Sequence, residues 1–539
     1  MRTWILERPW RAPTVVGLGA TLGMWAAIAW VQIFHPNLAF DGFKVRSGSA
    51  DSAWQTIRLA ELHSVGPKAL WWEHIYPPLY DAFRFILMQP ETISTGVPDP
   101  LAVDLRLYVV HSLLFGISAS VVYLWVRDIT RSGWAAAAGS TLWCIVPASF
   151  AYFIELNQTG LAICSMAIAL YLLFRFCKTR LHIYASGFLI ALLVASLTRN
   201  VVQIHVLLIL FIAVIAFWWM TVGRRSWMLV VNLLLVGLIA AWPIRAFALY
   251  ATFDVSTHTG DNRAGALWIN PQSVPEMVPI VVKQQYRTYA SSRDQLNDPS
   301  ALAQLTPTEI QELRSRFLVE ENQWQRVQEE YPGVDIAEAD VYPDRLLQNA
   351  TRLSSGFNTQ EMLRANYRLG KVTNDYLLRQ PIDAIVSASQ SLSITVPTMF
   401  RSIYTQWGNA FNTTFPGVNI LDWLFSGWRF GLLIATSAAI IIRHLGIKGT
   451  ATMVRRYAWF AVFWVLTLIP VLLSNLYWPP DIPEPTHSEA DRLRALVDIP
   501  VYVLITVAGL LVVNRLRRAY RTPLWLTSMQ GKGKATTTP

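Results

Sequence analysis

Charge is what this sequence has least of. Only 15% of its 539 residues are Asp, Glu, Lys or Arg, while 53% are hydrophobic and the mean hydropathy is +0.33. An ordinary soluble domain carries about 25% charged residues, so a water-soluble globule of this composition would lack the polar surface to cover itself. Cysteine is scarce too. Cys144, Cys164 and Cys177 all lie within or at the end of apolar segments and form neither a metal-ligand nor a disulfide pattern. No internal repeat of the kind that marks many transporters is visible, and the middles of the apolar blocks are nearly free of Asp, Glu, Lys and Arg, where a transport path usually places them.

What is present is apolar sequence in blocks of about 20 residues, the length a helix needs to cross roughly 30 Å of hydrocarbon. The expected spans are 14–34, 103–126, 134–153, 158–177, 181–198, 201–222, 227–250, 423–443, 456–476 and 498–514. The fold class is therefore an all-α polytopic membrane protein of about ten transmembrane helices with outer juxtamembrane helices. Arg2, Arg8 and Arg11 precede the first block, which is long and has no obvious small-residue cleavage site, so it reads as a retained span.

The net charge of +10 is concentrated in short connectors, which removes the usual argument from basicity to nucleic acid. Arg127 and Arg131; Arg175, Lys178 and Arg180; Arg224 and Arg225; and Arg443, Lys448, Arg455 and Arg456 follow alternate spans, and the tail adds Arg515, Arg517, Arg518, Arg521, Lys532 and Lys534. The positive-inside rule then puts these connectors and both termini in the cytoplasm. The opposite side receives 35–102, 251–422 and 477–497. Three units follow: 1–250, a membrane module with a first outer loop at 35–102; 251–422, an outer helical segment; and 423–539, a second membrane module. Within the outer segment Thr308 to Glu330 and Glu361 to Leu378 read as amphipathic helices, and Pro381 precedes a weakly apolar run to Val396 whose reading as a further short or re-entrant span is opposed by flanking charge, since one added crossing would invert every later connector.

Outer loops are where chemistry is expected. Asp51 opens a stretch in which Trp54, Ile57 and Ala60 share a helical face, so its carboxylate would sit at a helix start, either as a proton acceptor or as a plain cap with Ser52 and Gln55. Asp41 is the second carboxylate of that loop. Further on, Trp71-Trp72-Glu73-His74-Ile75-Tyr76-Pro77-Pro78-Leu79-Tyr80 contains two adjacent prolines that break any helix. The turn would present Glu73, His74 and Tyr80 near the membrane surface, or serve only as an aromatic anchor.

The order Asp51, Gly66, then His74 to Tyr80 resembles the GT-C superfamily of integral-membrane glycosyltransferases, in particular its protein-mannosyltransferase-like and aminoarabinose-transferase-like branch. Those proteins follow span one with an acidic residue opening a juxtamembrane helix, a glycine, and a His-Pro-Pro-Leu-Tyr type motif. Here Ile75 and Tyr76 separate the His from the prolines, and Ser52 stands where a second acid is often found. Ser196-Leu197-Thr198-Arg199-Asn200 looks like the family's leucine-threonine-lysine-proline segment. Ala241-Trp242-Pro243-Ile244-Arg245 is similar to its Pro-Trp-x-x-Arg-Asn element, and Ser488-Glu489-Ala490-Asp491-Arg492 resembles the acidic-arginine passage before the last helices.

The resemblance implies a polyprenyl-phosphate-linked sugar as donor, a glycan, lipid or protein as acceptor, and an active site on the outer face of a bacterial inner membrane. It implies Asp51 as general base with Asp41 in reserve, Arg199 and Arg245 on the donor phosphate, and Glu73, His74, Tyr80, Glu489 and Arg492 in substrate binding. One base in a direct displacement predicts inversion at the anomeric carbon. No cofactor is expected; a divalent metal is not favoured, because neither Glu73 with His74 nor His487, Glu489 and Asp491 makes a convincing ligand set by spacing. Rival readings are a polytopic transporter or lipid flippase, a scaffold, and a glycan ligase or polymerase of the same superfamily.

Overall fold

The structure, a computed structural model, describes residues 11–34, 56–74, 76–154, 156–199, 226–251, 256, 278–302, 307–333, 349, 352–353, 360–386, 389, 424, 427–473, 496 and 498–521. All regular structure among them is helical, and six helices are long and apolar enough to cross a membrane. The chain is an all-α membrane protein. Its principal helices are α1 Arg11–Phe34, α2 Leu59–Val65, α3 Lys68–Trp72, α4 Leu79–Thr95, α5 Pro100–Thr130, α6 Gly133–Ile145, α7 Pro147–Ile154, α8 Gln158–Thr179, α9 His182–Ser196, α10 Ser226–Tyr250, α11 Val278–Asn297, α12 Pro307–Glu330, α13 Gln360–Arg379, α14 Gly427–Leu473 and α15 Ile499–Arg521.

The expected spans 14–34, 103–126, 158–177, 227–250 and 498–514 fall one to a helix, on α1, α5, α8, α10 and α15. Span 201–222 lies outside the described residues, and 181–198 is the 15-residue α9. Span 134–153 is two helices, α6 and α7, because Val146 is extended (ψ 124°) ahead of Pro147; proline crowds the preceding residue out of the helical region. Spans 423–443 and 456–476 both fall on α14, a 47-residue run whose backbone leaves the helical region at Gly446 (φ 67°, ψ 174°) and Tyr457 (φ −108°, ψ 16°). Their basic connector is thus itself helical. The described helices give six membrane-length candidates; the expected ten includes the undescribed segment, the split pair and the short α9.

Helix α5 is central, packed on α1, α4, α6, α7, α8 and α15. Lipid supplies no hydrophobic force between helices, so close approach and hydrogen bonds decide their pairing. Gly17 of α1 and Gly116 of α5 face each other so closely that a Cβ on Gly116 would stand 2.5 Å from the Gly17 carbonyl oxygen. At that approach side chains reach the opposite backbone: Thr21 Oγ1 donates to the Ser112 carbonyl (3.1 Å) and Ser120 Oγ to the Pro13 carbonyl (2.8 Å), while Trp25 Nε1 donates to Ser112 Oγ (3.0 Å).

At 31 residues α5 spans about 46 Å. Toward its C-terminus Asp128 accepts from Arg175 Nη1 (2.7 Å) and Tyr171 (3.0 Å), and Lys178 Nζ donates to the Asp128 carbonyl (2.7 Å). Arg456 of α14 donates to the Lys178 carbonyl (2.8 Å), and Tyr457 stacks on Phe174. The basic connectors after α5 and α8 and within α14 therefore meet at one end of the bundle. Helices stop there without glycine: Arg131 and Arg180 adopt left-handed φ (56° and 60°), and their N–H groups return to the Arg127 and Phe176 carbonyls. Toward the N-terminal part of α5 lie the connector 73–78 and the start of α8. In the segment 251–422 α11 and α12 pair through Tyr289, Phe317 and Trp324, α13 sets Leu363 against Tyr250, and Asn349 Nδ2 donates to the Leu249 carbonyl (3.0 Å). Part of this segment is thus seated on the end of α10.

Candidate functional site

The site grows from a break in the backbone. Helix α3 ends because Glu73 turns to an extended conformation (ψ 130°), its N–H closing the last turn on the Ala69 carbonyl (3.0 Å). Pro77 and Pro78 then forbid helix until Leu79, since neither donates a backbone hydrogen bond. The first N–H after them, that of Leu79, donates to the carbonyl of Leu197 (2.9 Å), which lies just past the end of α9. The turn after α3 and the end of α9 are thereby held together, although 118 positions separate Leu79 from Leu197 in the numbering (197 minus 79). Glu73, His74 and Tyr80 of the turn are 1%, 2% and 4% exposed, while Trp71 just before it is 53% exposed.

Beneath the turn lies an ion pair that sequence reasoning missed. Asp81 Oδ1 accepts from Arg84 Nη1 at 2.6 Å, and both side chains are buried. Together they seize one peptide unit of the loop that follows α1. Arg84 Nη1 donates to the Ile57 carbonyl (2.6 Å), and Asp81 Oδ2 accepts from the Ile57 N–H (3.1 Å). This corrects the expected helical stretch at Ile57 and Arg58; 51–55 lie outside the described residues. Ile57 gives its backbone groups to α4 instead of to a helical ladder, Arg58 is extended (ψ 141°), and the helix begins only at Leu59. Asp81, Arg84 and Met88 are all buried, at the i, i+3, i+7 spacing of one helix face; that periodicity is the signal by which the pair was detectable.

Arg245, near the end of α10, is 6% exposed and enclosed by aromatic rings. Its guanidinium carbon lies 4.1 Å from the Trp242 centroid, 5.4 Å from Tyr250 and 5.5 Å from Trp71. None of its three nitrogens finds a hydrogen-bond acceptor among the described residues. Tyr250 Oη is engaged with the Trp72 carbonyl (2.7 Å), and the His74 ring packs on the Tyr250 ring at 4.9 Å. Cation–π contact offsets part of the cost of burying a guanidinium and supplies no acceptor for its N–H groups.

Both groups beside it are shifted toward their neutral forms. Burial, then the Asp81 carboxylate and its hydrogen bond, hold Glu73 well above the usual carboxylate range, against the opposing pull of Arg245 and Arg84. Burial and the Arg245 charge push His74 down to about 3, a neutral imidazole at physiological pH. Asp81 is matched by Arg84, and Arg245 forms no ion pair among the described residues. Glu73 Oε2 likewise lacks a hydrogen-bond partner among the described residues. Unused guanidinium donors and a buried carboxyl raised above its usual range therefore accompany one turn.

Arg199 lies on the other flank of the same turn, 2% exposed, with Nη1 donating to Thr159 Oγ1 (3.0 Å) at the start of α8. Tyr80 faces His111 edge-on there, at 6.1 Å between centroids. Five of the expected site residues, Glu73, His74, Tyr80, Arg199 and Arg245, thus gather around one turn. Asp41, Asp51, Glu489 and Arg492 lie outside the described residues. Among the described residues no group of three or more His, Cys, Asp or Glu is arranged to hold a metal ion. No protein-family model matches the sequence, and no curated protein matches it.

Proposed function

We propose that this chain is a membrane glycosyltransferase that moves a sugar from a polyprenyl-phosphate donor to an acceptor hydroxyl. The observation that carries the reading is Arg245, a buried cation with three nitrogens lacking acceptors among the described residues, at the apolar end of a membrane-length helix. A buried guanidinium without an anion is costly, and a phosphate oxygen pair matches its donor fork. A donor whose lipid tail lies in the bilayer brings that anion to that depth. Arg199, across the turn, is the second arginine for the same phosphate.

In this scheme the acceptor oxygen attacks the anomeric carbon as the bond from that carbon to the phosphate oxygen breaks. The hydroxyl proton passes to the Asp51 carboxylate, and the bonding electron pair leaves with the polyprenyl phosphate, whose growing charge the arginines stabilise. The configuration at the anomeric carbon inverts. The order of the first-loop acid, the proline turn, Arg199 and Arg245 along the chain, which resembles GT-C enzymes, supports the reading. The active site then faces the non-cytoplasmic side, with the basic connectors and termini in the cytoplasm.

Native mass spectrometry of the chain released from mild detergent tests the proposal. A polyprenyl-phosphate adduct should be present on the wild-type chain and depleted in Arg245→Gln; a wild-type chain that carries none and takes up none when supplied overturns the reading.

A further inference from the structure

Helix α14 contains a short helix of its own. Its backbone leaves the helical region at Gly446 and again at Tyr457, which sets off residues 447–456 between two apolar halves. The half before packs Phe430 on Tyr502, and the half after packs Phe460 on Trp125 and Phe463 on Phe188. Both halves therefore belong to the bundle, and the piece between them ends where Tyr457 stacks on Phe174. At helical spacing its side chains divide into two arcs. Ile447, Ala451, Met453 and Val454 lie on one, and Lys448, Thr452, Arg455 and Arg456 on the other. All of them are exposed, with Ile447 at 88% and Val454 at 59%.

The basic arc has no acid of its own to pair with, since the sequence holds no Asp or Glu between Asp422 and Asp481. Arg456 Nη2 donates to the carbonyl of Lys178 (2.8 Å), and Lys178 Nζ donates to the carbonyl of Asp128 (2.7 Å). Cations of α8 and α14 thus meet at one junction on neutral acceptors. The carboxylate of Asp128 is already engaged by Arg175 and Tyr171. Neither Lys178 nor Arg456 forms an ion pair among the described residues. Backbone carbonyls do not neutralise such charges, and a phosphate oxyanion does.

We propose that the helix 447–456, together with Lys178, is a docking site for an anionic phospholipid of the leaflet at the basic end of the bundle. The phosphodiester takes the donors of Arg456 and Lys178, and the acyl chains cover the arc of Ile447 and Val454. A helix with one apolar and one basic arc, joining two membrane-embedded halves, lies where hydrocarbon meets headgroups. A soluble anion would satisfy the cations and leave the apolar arc bare. A zwitterionic lipid brings its own ammonium, so a net negative headgroup fits the uncompensated charge better. The site lies by the C-terminal end of α5, whereas the turn with Arg245 lies toward its N-terminal part. It is therefore separate from the proposed donor site.

The test supplies the full chain in mild detergent with phosphatidylglycerol or phosphatidylcholine and reads the adducts by native mass spectrometry. Wild type should retain phosphatidylglycerol in preference. Lys178→Gln and Arg456→Gln should each weaken that retention by roughly fivefold, the increment of one basic side chain at an anionic membrane surface. Arg517→Gln, on the exposed end of α15, and Arg245→Gln should stay within about twofold of wild type. A wild-type chain without preference overturns the proposal, and so does an equal loss in Arg517→Gln, which means diffuse attraction, or in Arg245→Gln, which puts the lipid at the other site. A second measurement keeps every charge in place. An NBD label on Val454→Cys in lipid nanodiscs should be quenched by spin-labelled acyl chains, and one on Thr452→Cys should not. The wild-type chain, whose Cys164 and Cys177 are buried and Cys144 half-buried, supplies the labelling background. Labels that are water-exposed at both positions leave the face to a soluble partner and overturn the lipid assignment.

Discussion

Replacing Arg84 with methionine removes a cation that is 0% exposed and leaves the Asp81 carboxylate 2% exposed beside it. A single nitrogen, Nη1, makes both short bonds, to Asp81 Oδ1 and to the Ile57 carbonyl, each at 2.6 Å. Methionine fills much of the volume, so the loss is electrostatic rather than a cavity. Breaking a buried ion pair by deleting one partner costs about 3–5 kcal/mol, because the surviving charge stays in a low-dielectric site. Asp81 keeps the Ile57 N–H at 3.1 Å and its hydrogen bond with Glu73, which places the expected loss near the lower end, at about 3 kcal/mol. At roughly 2 °C per kcal/mol for a large domain, Tm should fall by about 6 °C.

The assay is thermal denaturation in detergent, followed by fluorescence-detected size exclusion, on Arg84→Met, Asp81→Asn and the double variant. The double variant should recover most of the loss, with a coupling of about 2 kcal/mol, because it has no stranded charge. A single variant within 1 °C of wild type, or a double variant no better than Arg84→Met, would refute the claim that an uncompensated carboxylate sets the cost.

Gly116→Val forces a branched side chain against the Gly17 carbonyl and should cost about 1–3 kcal/mol in the same assay. Gly19→Ala on the same helix α1, where a Cβ meets nothing within 4 Å, should be near neutral. Tyr250→Phe deletes the hydroxyl that donates to the Trp72 carbonyl and should lower stability by about 1 kcal/mol, and should deplete the polyprenyl-phosphate adduct in native mass spectra as the ring moves off Arg245. Stability against pH should pass through a maximum. Below about 6.5 the opened chain protonates His74 and the folded one does not until about 3, so stability declines as pH falls across that window. Glu73 has the opposite sign. Its elevated folded value gives stability that is full below the ordinary carboxylate range and lost as pH rises through that value. Half-life at fixed temperature measured from pH 4 to 10 reads both limbs, and Glu73→Gln should remove Glu73's contribution to the alkaline limb.

The membrane-spanning character was legible because it depends on block length and on nothing tertiary. The sites of disagreement are local backbone effects. Pro147 splits one expected span at Val146, which follows from the crowding that proline imposes on its predecessor and could have been read from the sequence. Gly446 interrupts α14 where the basic residues predict a connector, but the chain continues as helix on both sides, since Leu445, Ile447 and Met453 are ordinary helix formers. The helical periodicity of the first loop was overridden at Ile57 by a tertiary contact, for nothing in that stretch announces that Asp81 and Arg84 will take both backbone groups of Ile57.

The candidate site divides along the same line. Arg199 and Arg245 stand out in sequence because positive residues are expected at the other end of their helices. Asp81 and Arg84 do not, because an Asp and an Arg three residues apart read as a surface pair unless one notices that Met88 continues their face inward. Glu73 was legible as a residue of interest and not as an acid. Its upward shift depends in part on Asp81, eight positions later (81 minus 73), being brought back against it by the turn at Pro77 and Pro78. Two carboxyls and two arginines in an apolar setting give no fixed pairing from composition. Only the fold assigns Asp81 to Arg84, by a 2.6 Å bond and a shared peptide, and so removes Asp81 as a partner for Arg245. The lack of an ion pair at Arg245 among the described residues is therefore a product of the same pairing that holds α4 against the first loop.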